Sequence, residues 1–287
     1  ILMTNTSKGY TYNATLQLQR NVKNLYTMIA YSYGDSRSVN DGGSIAQSIW
    51  RDRAVSGDPN SDAVSFSNFY QPHRVIAAAY YRFEYAKHFA TSFGFTFEAA
   101  NGGTASYTYN GDLNNDGLTT NDLIYVPANA NEIILEGVNA ADTRTAAQLW
   151  GQLNTYLNQD PYLSTRRGQY AERNGLLLPF YKRLDFNFTQ DFAVKAGKNT
   201  NTLRFTMDIF NFGNLLNKNW GISRITNRTA LLNFKRVETT GNNVGRPVFS
   251  FPYLDATNLI PLTSTFQNST GVNSRWQMQV GVRYIFN

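Results

Sequence analysis

Cysteine is absent from the 287 residues, which excludes disulfide bonds and thiolate metal sites. Charged residues make up only 16% of the chain and aromatic residues 14%, a balance that is unusual for a soluble domain. The mean hydropathy is −0.40, and no uncharged apolar run approaches the ~18 residues of a membrane-spanning helix. A membrane location would therefore have to depend on strands.

Several classes of function also lack their sequence signals. The formal charge of +6 is spread over basic residues that stand singly or in pairs, so nucleic-acid binding is not expected. Neither His73 nor His88 has a His or Cys companion at metal-ligand spacing. No nucleophile elbow, phosphate loop or paired acid–base carboxylates are present, so we expect no enzyme, and a secreted hydrolase lacks the residues it would need.

The first residues, "ILMTNTSKGY", lack the basic, apolar and small-residue regions of a secretion signal. We therefore expect the chain to be either cytosolic or the interior portion of a longer precursor. The strand pattern favours the second.

Alternation of apolar and polar residues is the main pattern that is present. The last segment, "WQMQVGVRYIFN", places six apolar side chains on one face, which we predict to face lipid: Trp276, Met278, Val280, Val282, Tyr284 and Phe286. Aromatic residues at its two ends bracket aliphatic ones over about the 9 to 11 positions of a tilted membrane strand. Similar segments occupy residues 10–18, 75–85, 89–97, 184–188 and 203–209. Residues 25–33 are less regular, because Met28 and Ala30 fall on the polar face, but we predict seven strands in all.

The connections between these strands alternate between short and long. Residues 21–24, 86–88 and 195–201 are short, whereas residues 34–73, 98–180 and 213–274 are long. Successive antiparallel strands put alternate connections at opposite ends, so all the long loops share one end, as in outer-membrane barrels. Seven strands would leave unpaired edges in lipid, so the sequence predicts the C-terminal part of a larger, all-β transmembrane antiparallel β-barrel. The alternative from another class is a soluble β-sandwich adhesin or glycan-binding module with calcium-stabilised loops.

Four stretches resemble the TonB-dependent outer-membrane transporters of Bacteroidota, in particular the Oar-like branch. They read "NGDLNNDGLTTNDLIYVP", "QLNTYLNQDPYLSTRRGQYAERNGLLLPFYKRLDFNFTQDF", "MDIFNFGNLLN" and "QVGVRYIF". The resemblance implies a 22-stranded barrel around an N-terminal plug, with residues 1–287 supplying the last seven strands. The resemblance also implies that the last segment, from Trp276 to Phe286, is the assembly signal of the barrel. One departure is Asn287, which follows the aromatic Phe286 that would normally close this signal.

The resemblance also implies a function and partners. The function is import of a nutrient (a peptide, glycan, siderophore or cobalamin) across the outer membrane of a Gram-negative bacterium, with energy from the TonB complex. The partners are the rest of the barrel, its plug, outer-membrane lipid and, in some relatives, a surface lipoprotein lid. A passive porin and a surface-binding barrel are the alternatives within this architecture.

The acidic stretch "DLNNDGLTTND" has the spacing of a calcium-binding loop. Its oxygen-bearing residues at the first, third and fifth positions, a glycine at the sixth, a carbonyl at the seventh and a late carboxylate suit calcium: Asp112, Asn114, Asp116, Gly117, Leu118 and Asp122. The twelfth position is Leu123, not glutamate, and Asp122 stands one place early. The sequence predicts a structural calcium ion here, with an Asx-rich surface turn as the alternative.

One helix and four aromatic residues complete the candidates in the long loops. Apolar residues recur at helical spacing between Asp142, a candidate N-cap, and Tyr156, with Pro161 just beyond. We expect this helix to pack onto the barrel rim. Four loop aromatics are candidates for stacking on a ligand, although such residues also form loop cores: Trp50, Tyr70, Tyr162 and Trp220.

Overall fold

Seven long strands form one antiparallel sheet in the computed structural model, which describes residues 4–197 and 199–286. Each strand pairs with the next along the chain, so the sheet is a simple meander. Its strands are β1 (Tyr10–Val22), β2 (Leu25–Ser38), β3 (His73–Tyr85), β4 (Phe89–Asn101), β5 (Phe180–Ala196), β6 (Asn199–Phe210) and β7 (Gln277–Phe286). The predicted seven strands and their antiparallel order are confirmed. The sheet is open in the part of the chain that the structure describes, with β1 and β7 at its edges.

Most side chains on one face of the sheet are apolar. The register places Phe95 of β4 beside Phe186 of β5, Phe186 beside Ile209 of β6, and Ile209 beside Met278 of β7. Since side chains alternate along a strand, residues two apart continue each row. The six predicted apolar residues at the end of the chain are all exposed, by 44% for Trp276 to 74% for Phe286.

The opposite face carries the polar and charged side chains. Asp191 lies between two arginines and accepts hydrogen bonds from Arg82 Nη1 at 3.1 Å and from Arg204 Nε at 2.6 Å. Met28 and Ala30, the exceptions in β2, lie beside Ala78 and Ile76 of β3 on this face. The irregular pattern of β2 therefore corresponds to one small apolar patch on an otherwise polar face.

Several strands are longer than the alternation predicts. The pattern gave residues 184–188 for β5, whereas the paired strand runs from Phe180 to Ala196. Residues 25–33 likewise extend to Ser38, where two residues of β2 pair with the short strand Ser65–Phe66. Backbone hydrogen bonds continue the ladder after the side-chain pattern has stopped, because pairing uses the main chain alone. At the last strand the difference is in the other direction, because the predicted segment begins at Trp276 and β7 begins one residue later, at Gln277.

The three long connections, residues 39–72, 102–179 and 211–276, lie at one end of the sheet, and the short turns lie at the other. We refer to them as the first, second and third long loops, and together as the loop cluster. Their helices are α1 (Ala46–Arg51), α2 (Ala146–Gln159) and α3 (Phe212–Leu216). Their 3₁₀ turns are Ala130–Glu132, Leu163–Thr165, Gly241–Asn243 and Val272–Ser274. No helix in the described part of the chain has the length and apolar character needed to cross a membrane.

Short strands also cross between the second and third long loops. A four-stranded sheet contains Thr108–Asn110, Ala230–Val237, Pro247–Ser250 and Ile134–Leu135. The remaining short pairs are Tyr125–Val126 with Gln169–Tyr170, Thr104–Ala105 with Leu176–Leu177, Arg224–Thr226 with Phe266–Asn268, and Tyr253–Asp255 with Ile260–Pro261. These pairings satisfy backbone groups that long loops would otherwise leave unpaired.

Helix α2 begins three residues later than the sequence predicted. Thr145 is its N-cap and forms a capping box with Gln148, which satisfies the first free N–H groups of the helix. Asp142 does not cap the helix. Its carboxylate pairs with Arg144, at 2.6 Å from Nη2, and accepts a hydrogen bond from the Val138 N–H at 2.8 Å. The predicted end before Pro161 is confirmed.

Candidate functional site

The loop cluster has its own hydrophobic core, and α2 lies in it. Leu149, Leu153 and Tyr156 are fully buried on one side of the helix, while Ala146 is exposed. They pack with residues of the short strands, including Tyr107, Leu232 and Phe251. The predicted helical stripe is thus confirmed from Leu149 onward. Its partners are the strands of the second and third long loops, so the expectation that it packs onto the barrel rim was wrong.

A buried carboxylate joins three parts of the cluster. Asp160, at the C-terminus of α2, is 0% exposed and accepts hydrogen bonds from Tyr107 Oη at 2.5 Å and Thr265 Oγ1 at 2.6 Å. Its other oxygen accepts the N–H groups of Tyr162 and Leu163. Burial, reinforced by the neighbouring hydroxyl and carboxylate, raises the pKa of Tyr107 far above its usual value, so this phenol stays a donor. The network fixes the end of α2 against both long loops.

The acidic stretch forms a compact turn in which its side chains accept backbone N–H groups. Asp112 accepts from the N–H of Asp116 at 3.1 Å and of Gly117 at 2.9 Å. Asn114 accepts from Asp116 at 3.0 Å, and Asp116 accepts from Leu118 at 2.9 Å. Gly117 has φ +91, a left-handed conformation that glycine adopts without strain.

Asp122 closes this turn from inside. It is 3% exposed, and one of its oxygens accepts the N–H groups of Leu113 at 2.8 Å and Asn114 at 3.3 Å. Burial raises the pKa of its carboxyl above the ordinary value, and the nearby charges of Asp116 and Asp112 add to the rise. The described residues contain no group of three or more His, Cys, Asp or Glu side chains arranged to hold a metal ion. Calcium binding through the Asp112–Asp122 stretch, with the Leu118 carbonyl, stays a prediction.

The acidic turn also attaches the first long loop to the second. Val55 forms a parallel bridge with Asp122, with hydrogen bonds from Val55 N–H to Asn121 O at 2.9 Å and from Leu123 N–H to Val55 O at 2.7 Å. The Asn114 side chain donates to Gly57 O at 2.8 Å. A change in the conformation of this turn would therefore move the first long loop as well.

Three of the four candidate aromatics have partners within the protein. Trp50 Nε1 donates to Asn60 Oδ1 at 3.0 Å, and the Tyr70 ring lies 4.6 Å from that of Phe66. Tyr162 Oη accepts the N–H of Glu172 at 2.6 Å, and burial raises the pKa of this phenol to about 12. These contacts give each of the three a structural role.

Trp220 differs from the other three because it is 57% exposed. It lines a cavity of about 430 Å³ between the third long loop and the apolar face of the sheet, together with Phe97, Phe180, Lys182 and Leu184. The cavity lies where the sheet enters the loop cluster, on the apolar side. The four aromatics are thus spread over the cluster, and their role in ligand binding stays a prediction.

Several of the residues that organise these regions were not predicted from the sequence. The Thr145 and Gln148 pair was readable as a capping box, with its second residue three places after the first. Asp160 and Asp191 had no such signal, because their partners lie elsewhere in the chain, at Tyr107 and Thr265 and at Arg82 and Arg204.

Comparison with known proteins gives no match: no family model, curated protein or solved structure is significantly similar to the chain.

Proposed function

We propose that this chain is the C-terminal part of an outer-membrane β-barrel that imports a nutrient with energy from the TonB complex. The observation that carries the proposal is the mainly apolar and largely exposed face of the seven-stranded sheet. Large apolar side chains on every one of its strands are exposed, among them Leu16, Ile29, Tyr81, Phe95 and Val282. Soluble monomers rarely expose apolar patches beyond a few hundred Å². An exposed apolar face of this kind is suited to contact with lipid.

The edges and the loops support the same proposal. In lipid, the free N–H and C=O groups of β1 and β7 would each cost several kcal/mol, so further strands of the same barrel are expected to pair with them. The short turns at one end and the loop cluster at the other match the asymmetry of outer-membrane barrels, whose long loops are extracellular. A β-sandwich would instead bury the apolar face under a second sheet.

Import, as opposed to passive flow, is proposed from the resemblance in the sequence. The polar face would then line the lumen, where the Arg82, Asp191 and Arg204 group would meet the plug. A passive porin and a surface-binding barrel stay as alternatives. Uptake that requires the proton-motive force and a TonB box upstream in the same polypeptide would support import. Uptake that persists in a strain without TonB would refute it.

The membrane location has a sharp test in two adjacent residues. Val280 lies on the apolar face and Gln279 on the polar face of β7. We expect Val280→Arg to reduce the folded fraction in the outer membrane, with a loss of about 2 to 4 kcal/mol at the bilayer midplane. Gln279→Arg, one residue away, should assemble normally. Equal assembly of the two variants, measured by membrane fractionation and urea unfolding in vesicles, would contradict a lipid-facing surface.

We also propose that the acidic turn holds a structural calcium ion in the loop cluster. Asn121 supports this proposal: it is 3% exposed, its Oδ1 has no hydrogen-bond partner within the described residues, and its Nδ2 donates to Asp116 Oδ2 at 2.7 Å. If the Asn121 side-chain amide were flipped, so that Oδ1 and Nδ2 exchanged places, a cation beside Asp116 would be a partner for Oδ1. Asp112, Asn114, Asp116 and Asp122 are the further oxygen donors, and an ion among them would offset their mutual repulsion.

Calcium should raise the melting temperature of the protein over that in EDTA, because it binds only the folded turn. Asp116→Asn should reduce this shift, whereas Asp255→Asn should not, since Asp255 forms an ordinary Asx turn with Thr257 and Asn258. Affinity should rise with pH, because the raised pKa of Asp122 makes protons compete for the site. An equal response of both variants to calcium would leave the stretch as an Asx-rich turn.

A further inference from the structure

Two arginine side chains lie side by side where the first and second long loops meet. Arg53 Nη1 and Arg173 Nη1 each donate to the carbonyl oxygen of Val39, both at 2.9 Å. Arg53 Nη2 also donates to the carbonyls of Pro59 and Ser61, and Arg173 Nη2 to that of Ser38. The two cationic groups are therefore held together by neutral acceptors.

Neither arginine has a carboxylate within salt-bridge distance in the described part of the chain. Arg144, the other deeply placed arginine of the loop cluster, pairs with Asp142 at 2.6 Å, so the fold does neutralise a buried guanidinium elsewhere. Arg173 is only 8% exposed. Burial lowers the pKa of both Arg53 and Arg173, and the carboxylates of Asp58 and Asp41, which lie beyond salt-bridge distance, offset this only in part. Two like charges in this position are costly when no carboxylate pairs with them directly.

Each of the two arginines also has an N–H donor without a partner. The Nε atoms of Arg53 and Arg173 are both buried, and neither has a hydrogen-bond partner among the described residues. Buried N–H groups are normally satisfied by protein, water or an ion, so two such orphans in one place require an explanation. An anionic group beside the two guanidinium groups would offset their charge.

A cavity is available beside the pair. Arg53 and Arg173 line a space of about 220 Å³, along with Ser56, Tyr170 and Arg166. One water requires ~10–15 Å³ of such space, so the cavity is wide enough for a small polyatomic group. Glu172 is the one acidic residue of the lining, and it pairs with Arg166 at 3.5 Å. The two central arginines thus leave the cavity with a net positive charge.

We propose that this cavity binds an oxyanion, namely the carboxylate, phosphate or sulfate group of a ligand that reaches the loop cluster. Guanidinium groups bind such oxyanions through their fixed positive charge and their N–H donors. The site goes beyond nutrient import, because it requires only the folded loop cluster and an anionic group. Its failure would leave the proposed import untouched.

The test is binding of inorganic phosphate, sulfate and acetate to the full polypeptide, purified in detergent, with sodium chloride holding the ionic strength constant. Calorimetry should show saturable binding of at least one oxyanion and no equivalent effect of chloride. Arg53→Gln and Arg173→Gln should each lower the affinity for the oxyanion roughly tenfold or more. This is the order of magnitude expected when a hydrogen bond to a charged group is lost. Arg173→Lys, which keeps the charge but loses the fork, should give a smaller loss and guards against misfolding of the glutamine variant.

Arg246→Gln is the matched control. Arg246 also lies in the loop cluster and also donates to uncharged oxygens, those of Asn131 and Asn243, but it does not line the cavity. The control variant should bind like the wild type. Absence of saturable binding in the wild type for all three oxyanions, or equal binding by the Arg53, Arg173 and Arg246 variants, would overturn the proposal.

Discussion

The sheet and the loop cluster place the same kinds of side chain in opposite surroundings. Val282 and Phe286, in the sheet, are 72% and 74% exposed, whereas Leu153 and Tyr156, in the loop cluster, are 0% exposed. Both regions have an apolar stripe, with a period of two in the strands and of about 3.6 in α2. The stripe of α2 is covered by its own chain, whereas most of the apolar face of the sheet is not.

This difference shows that periodicity identifies an apolar face without identifying what covers it. In the loop cluster, long-range contacts between the second and third long loops supply the cover. In the sheet, Phe212 of α3 covers the face only around Phe95 and Phe186, and we assign the cover of the rest to lipid. The predictions below test whether the loop cluster behaves as a water-soluble core, in order of decreasing effect.

The largest effect is expected for Leu153→Ala. Leu153 is fully buried in α2, so removal of its branched end should leave a cavity and cost about 2 to 5 kcal/mol. Leu216→Ala, in α3, is the control, because Leu216 is 62% exposed and its truncation should change stability by less than about 0.5 kcal/mol. Both are measured by protease resistance of the loops during urea unfolding. Equal effects would mean that the cluster has no core of its own.

A smaller loss is expected for Tyr107→Phe. The change removes the hydroxyl donor 2.5 Å from Asp160 and leaves a buried carboxylate with fewer partners, at a cost of about 1 to 3 kcal/mol. The control is Tyr125→Phe, since the Tyr125 hydroxyl donates to Glu132 at the surface. Thermal unfolding of the two variants tests whether Tyr107→Phe lowers stability more than Tyr125→Phe does. A neutral Tyr107→Phe would show that Thr265 and the two N–H donors suffice for Asp160.

Thr145→Ala should lower stability by about 1 kcal/mol, because it removes the N-cap of α2. Thr155, further along the same helix, donates to Gly151 O and is exposed, so Thr155→Ala should be neutral or slightly stabilising. Amide hydrogen exchange in the first turn of α2 should be faster in Thr145→Ala than in Thr155→Ala. Unchanged protection in the Thr145 variant would contradict the capping role.

The smallest effect is a pH dependence at the surface of the cluster. Arg236 donates to both oxygens of Glu136, at 2.7 Å and 2.5 Å, and lowers the pKa of this carboxyl from 4.5 to about 2. A depressed carboxyl pKa contributes stability that is present above the unfolded value and is lost as the pH falls through the folded one. Melting temperatures between about pH 4.5 and about pH 2 should therefore fall less steeply in Glu136→Gln than in the wild type. Solvent screening keeps this difference small, and parallel curves would mean that the pair contributes nothing.

The sequence predicted the strands better than it predicted the loops. Seven alternating segments and three long connections were readable because strand pairing between chain neighbours is local, as in β3 and β4. The start of β5 at Phe180 was not readable, because its pairing there depends on β4 and not on its own alternation. The start of α2 was misplaced at Asp142 even though Thr145 and Gln148 form a readable capping box.

The sequence by itself determined the apolar face of the sheet, since side chains two apart must point the same way along a strand. It also determined the acidic turn, whose hydrogen bonds join residues within Asp112 to Asp122. Only the tertiary structure decided that Arg53 and Arg173 share the carbonyl of Val39, or that Asp160 meets Tyr107 and Thr265. Those groups are separated by up to 134 residues, and no local pattern specifies which distant side chains a folded loop brings together.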